Sequence, residues 1–166
     1  MPADPPMTTL AWTEDLRLNQ PLMDRTHEEF VALLADARAA VEGAGPPAPA
    51  LAAFERLLAH TVEHFAQEDR WMAATGFAPE NCHARQHAVV LQLMNETVRV
   101  VRDEARWPLL GLVIDDLGRW FPQHALMMDA ALAQQMAETG FDTASGLATG
   151  PLPELAITHC GGAGCR

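Results

Sequence analysis

Four long stretches with apolar residues every three or four positions, each closed off by glycine or proline, constrain this chain more than any other feature. The breaks fall at residues 43–49 (GAGPPAP), 76–79 and 106–108. The first stretch, about residues 21–41, carries Met23, Phe30, Leu34, Ala37 and Val41. The second, about 50–75, carries Leu51, Phe54, Leu58, Val62, Phe65 and Met72. The third, about 79–104, carries Val90, Leu91, Met94, Val98 and Val101, and the fourth, about 108–136, carries Leu110, Val113, Leu117, Phe121, Met128 and Leu132. Long helices joined by short links predict an all-α fold, an up-down-up-down antiparallel four-helix bundle. Residues 1–136 read as one domain opening with an N-terminal arm (1–20). Residues 137–166 read as a flexible Gly- and Cys-containing C-terminal tail.

Length and charge narrow the function. A chain of 166 residues supports one good core. A net charge of −11 argues against nucleic acid and anionic membrane surfaces as partners. The start, MPADPPMTTL, has no secretory pattern, and no apolar run is long enough for membrane insertion. Three cysteines without framework spacing suit a cytoplasmic location.

The histidines fall on the wrong face for a plain core. His27 lies in the Met23/Phe30/Leu34 stripe. His64 and Glu68 are one turn apart, as are His83 and His87, and His124 follows Phe121 by three residues, with Asp129 beyond it. Residues at i and i+4 share a helix face, so all four helices turn polar groups toward the core. A single such histidine is commonly a hydrogen-bonded core residue. Five imidazoles cannot all satisfy one another in a dry interior, and a metal centre resolves the conflict.

The order His27; His64-Phe65-x-x-Glu68; His83-x-x-x-His87; His124-x-x-x-x-Asp129 resembles the hemerythrin family over about residues 10–136. Trp12, Asp24, Met72 and Trp120 agree with the resemblance. It implies a bundle holding two non-haem iron ions, bridged by carboxylates and an oxo or hydroxo group, that binds O2 reversibly for carriage, storage or buffering, without enzymatic turnover. It also implies that Glu68 and Asp129 bridge the irons, that His83, His87 and His124 hold one, and that His27 and His64 hold the other. Five imidazole bonds, four carboxylate bonds and two from the bridge fill eleven of about twelve octahedral positions. The vacancy falls on the iron with two histidines. By the same resemblance Phe30, Phe65, Trp120 and Phe121 line the O2 pocket, although each is equally well explained as core. Ferritin-like di-iron oxidases are richer in carboxylate, so the histidine-rich set here favours binding. A di-iron enzyme acting on O2, peroxide or NO, and an O2- or iron-sensing module, remain the alternatives.

Three features lie outside this pattern. His60, one turn before His64, sits about 6 Å further along the axis, too far to share the metals, and reads as a neighbour of the site or a partly exposed residue. His124 and Asp129 are about 140° apart on a regular α-helix, which predicts a kink or π-type turn within residues 118–129, where Pro122 also removes a donor. His159, Cys160 and Cys165 read as incidental tail residues, and Cys82 as a small buried or rim residue.

Overall fold

The computed structural model describes residues 9–159. Helices α1 (Pro21–Glu42), α2 (Ala48–Thr75), α3 (Cys82–Glu104) and α4 (Pro108–His124) form the bundle. The last rod continues through a π-helical turn, Ala125–Asp129, into α5 (Ala130–Glu138). Helix α1 packs on α2 and α4, and α3 packs on the same two, as antiparallel neighbours require.

Local chemistry sets the helix starts. Pro21 occupies the first turn of α1, where its missing N–H costs nothing, and the Gln20 side chain accepts from Met23 N at 2.8 Å. Asn81 caps α3 by accepting from Ala84 N at 2.9 Å, which anchors the turn carrying His83. Buried Asp24 accepts from Leu18 N at 2.7 Å and so ties the N-terminal arm to α1. Trp12 packs against the main core.

The core has two apolar parts. The larger contains Phe30, Phe54, Phe65, Val90, Met94 and Phe121, and the smaller contains Met23, Trp71, Met72, Phe77, Leu132 and Met136. Along each rod the polar residues fall between members of these parts: His27 between Met23 and Phe30, Glu68 between Phe65 and Met72. The expected stripes are buried, or at Val41, Leu51, Leu58 and Leu91 partly buried against the larger core, with one correction. Val62 is 40% exposed, and its neighbour Thr61 is buried instead, its hydroxyl donating to Leu57 O at 2.8 Å. That i−4 bond hides a polar residue that hydropathy alone places outside.

The π turn lies inside the predicted window. Pro122 cannot donate to Gly118 O, and the Ala125 N–H is shared between Phe121 O and Pro122 O. A π turn takes more than four residues, which brings His124 and Asp129 toward one face.

The segment after α5, expected as a flexible tail, returns to the bundle. Phe141–Asp142 and Leu147–Ala148 pair as a small antiparallel ladder (β1 and β2). Further on, Ile157 bridges in parallel to Phe77: Ile157 N donates to Gly76 O, and Ala78 N donates to Ile157 O. Gly76 ends α2 at φ +99°, and a Cβ there would lie 2.5 Å from the Pro153 ring. Cys82, half buried, opens α3, and its N–H donates to Thr158 O at 3.0 Å. His159 is exposed, whereas Cys160 and Cys165 lie outside the described residues.

Candidate metal centre

All seven expected site residues converge at one level of the bundle. His27 comes from α1, His64 and Glu68 from α2, His83 and His87 from α3, His124 from the end of α4 and Asp129 from the π turn. None is more than 3% exposed.

The two carboxylates stand in the middle, and each divides its oxygens between two groups of histidines. Glu68 Oε1 lies 2.9 Å from His64 Nε2 and 3.4 Å from His27 Nε2. Its Oε2 lies 3.3 Å from His87 Nε2 and 3.4 Å from His83 Nε2. Asp129 Oδ2 lies 3.2 Å from His27 Nε2, while its Oδ1 lies 3.0 Å from His83 Nε2 and 3.2 Å from His124 Nε2. Ligand atoms of Glu68, His83, His87, His124 and Asp129 fall within 4.8 Å of one another, as do those of His27, His64 and Glu68.

Several of these contacts have the length of a hydrogen bond without its direction. Glu68 Oε2, both Asp129 oxygens, His87 Nε2 and His124 Nε2 make no hydrogen bond among the described residues. Each such buried atom costs about 1–3 kcal/mol if nothing satisfies it. A shared cation does: donors at adjacent corners of an octahedron with bonds near 2.1 Å sit about 3 Å apart, aimed at the ion and not at each other. Imidazole with carboxylate suits a first-row transition metal. The residues therefore fit a metal.

Charge is finely balanced among the side chains of the cluster. Burial alone would raise both carboxyls, and for Asp129 the Glu68 charge adds to this. The surrounding imidazoles outweigh burial and hold Glu68 and Asp129 well below the usual carboxylate range. Burial disfavours protonated His27, yet its contacts with Asp129 and Glu68 raise it to about 10. His124 goes the other way, lowered chiefly by burial.

Outer contacts orient two of the rings. His87 Nδ1 is 2.9 Å from Asp69 Oδ1, and His124 Nδ1 is 2.9 Å from Gln86 Oε1. These contacts leave the Nε2 atoms to face the cluster. Asp69 and Gln86 are absent from the sequence reading. Asp69 follows Glu68 and Gln86 precedes His87, so each is next to a site residue. Which adjacent polar residue reaches across to another helix is set by helix rotation, which sequence spacing leaves open.

The four aromatics expected around the site divide between its two sides. Phe30 and Phe121 stack at 4.6 Å; Phe121 meets His27 edge-on at 5.2 Å, and Phe30 meets His64 edge-on at 6.2 Å. Phe65 lies flat on His87 and also touches His64, while partly buried Trp120 stacks on His124 at 4.4 Å. His60 is outside both ligand groups but borders them: its ring meets His64 edge-on at 5.9 Å, and its Nε2 lies 3.2 Å from Glu29 Oε2.

An antiparallel helical bundle with an internal histidine and carboxylate cluster defines a metal-binding four-helix protein. The family model described as "Hemerythrin HHE cation binding domain" matches residues 20–136. The chain belongs to the hemerythrin family. It is 34% identical over 136 residues to a protein of Ralstonia nicotianae named bacteriohemerythrin, covering 82% of this chain and 95% of that one. No solved structure matches. Among the described residues no helix is long and apolar enough to cross a membrane.

Proposed function

We propose that this protein binds O2 reversibly at a non-haem di-iron centre, as a carrier, store or buffer of oxygen in the cytoplasm, and does not turn O2 over. The observation that carries this reading is the divided aim of Glu68 and Asp129. One oxygen of each faces His83, His87 or His124, and the other faces His27 or His64. Two carboxylates with that geometry suit bridges between two ions. His83, His87 and His124 would hold one ion; His27 and His64 would hold the other.

Bound iron would supply the electrons and the open coordination position for O2. The chain's own residues supply the rest. Asp69 and Gln86 fix the ring orientation of His87 and His124. Phe30 and Phe121 pack around His27 and His64, the side with fewer ligands, and keep water from it. Phe65 and Trp120 brace the three-histidine side. The pocket reading thus rests on Phe30 and Phe121 for the open side, with Phe65 between His64 and His87 as its wall.

Iron analysis combined with an anaerobic O2 titration tests the reading. It expects two irons per chain and a visible band that appears with O2 and bleaches on its removal. Irreversible oxidation with sustained O2 consumption on adding a reductant would favour a di-iron enzyme. His27→Ala should abolish oxygenation while leaving the helical content intact.

A further inference from the structure

All seven cluster side chains are buried, so a reductant outside the protein meets the site only through another group. Ring contacts lead outward from the cluster. Phe30, Phe65 and Phe121 are themselves buried, and among the described residues the connected rings come to the surface at two places, Trp120 and His60, both partly exposed. His60 meets His64 edge-on, and its Nε2 is engaged by Glu29. Trp120 lies closer to its ligand and flatter on it, stacked on His124 at 4.4 Å with the planes 29° apart. It also meets Phe65 edge-on at 6.1 Å, and Phe65 lies flat on His87. One partly exposed indole thus touches one member of the three-histidine group directly and a second through Phe65. Overlap of π orbitals is greatest between nearly parallel rings in contact, which favours Trp120 over His60 as an electronic link. Asp69 and Gln86 also run from the surface to ring nitrogens of this group, but their saturated stems carry no π electrons.

We propose that Trp120 is the point at which electrons enter the metal centre. A planar one-electron donor, of which a flavin semiquinone is the type, meets the exposed part of the indole, and the electron crosses the Trp120–His124 stack to the ion that His83, His87 and His124 would hold. The neutral semiquinone gives up one electron and releases one proton to water, becoming oxidised flavin. One ferric ion becomes ferrous, and a second semiquinone supplies the electron for the other. No bond of Trp120 forms or breaks. The need is a chemical one: O2 binds only to the reduced pair, so electrons lost to stray oxidation must be returned. The proposal rests on the di-iron reading, in which the three-histidine ion has its positions filled. Electrons and O2 then approach opposite sides of the centre and do not compete for one position.

The test is laser-flash reduction of the oxidised, iron-loaded protein by riboflavin semiquinone without O2, with the midpoint potential measured on the same samples. Riboflavin is uncharged, so the chain's net charge of −11 does not bias the encounter. Trp120→Leu should slow reduction severalfold at an unchanged potential. Trp120→Met, which fills the space with a flexible side chain and no ring, should do the same, and it decides the matter if Trp120→Leu does not retain iron. Trp120→Phe, which keeps a ring on His124, should recover most of the rate. His60→Leu should be reduced as fast as the wild type. Wild-type rates in the Leu and Met variants overturn the proposal, as does equal slowing in His60→Leu. A shift in potential that accounts for all of the slowing also overturns it, because loss of packing around a ligand would give that result. Wild-type protein that binds O2 reversibly and shows no dependence of reduction on Trp120 overturns the proposal alone. Wild-type protein that takes up no iron overturns the di-iron reading and the proposal with it.

Discussion

The Phe65 ring lies on the His87 imidazole with centroids 3.9 Å apart and planes within 7°. Phe65 is 1% exposed and belongs to the larger core, so it serves packing and ring placement together. Phe65→Ala should cost about 3–5 kcal/mol in denaturant unfolding, the usual cost of emptying a buried phenylalanine site. Phe65→Leu should cost less and should still loosen iron retention, because the flat wall against His87 is lost. Unaltered iron retention in Phe65→Leu would contradict the bracing role.

Asp69 holds His87 from outside the core. Its side chain is 48% exposed, so Asp69→Ala should change stability by no more than about 0.5 kcal/mol. Metal affinity in a chelator competition should nevertheless fall about 10–100-fold. Asp69→Asn, which keeps an acceptor, should fall between. Equal affinities across the three proteins would show that the contact does not orient the ligand.

The metal-free protein should lose stability toward both pH extremes. His27 is raised from 6.5 to about 10 in the fold, so its contribution is full below 6.5 and fades as pH rises through about 10. His87 is raised as well and adds in the same direction. Glu68 and Asp129 are lowered from 4.5 and 3.8, so their contribution is present above those values and is lost as pH falls through the lowered ones. Denaturant midpoints against pH measure both arms. Iron should remove the alkaline arm, because bound imidazoles are already neutral. A metal-free stability that stays flat from pH 6.5 to 10 would contradict the charge balance described for His27.

Much of this site is legible in the chain, for a specific physical reason. Histidine and carboxylate spacing of three and four residues reports the helix face directly, so His64/Glu68 and His83/His87 declare their direction. The five-residue step from His124 to Asp129 fits a regular helix poorly, and that misfit itself points to the π turn. Thr61 and Val62 show where the same logic fails: a threonine bonded to its own helix hides its polarity from a hydropathy reading. The docking of Ile157 on Phe77 is equally silent, because it is carried by backbone hydrogen bonds and by one apolar side chain on the smaller core, which leaves no periodic pattern.

That docking gives a further prediction. Gly76→Ala must strain a φ of +99° and meet the Pro153 ring, so the C-terminal return should detach from the bundle. The expected loss is roughly 1–3 kcal/mol, with faster proteolysis beyond Ala148 and little change in helical content. Wild-type stability and protease resistance in this variant would show that the return is not anchored there.

The central claim is that two metal ions share Glu68 and Asp129. Anomalous diffraction at the iron edge from iron-loaded crystals tests it most directly. Two peaks are expected, one bounded by His83, His87 and His124 and the other by His27 and His64, with both carboxylates between them. A single peak, or iron bound away from Glu68 and Asp129, would contradict the account.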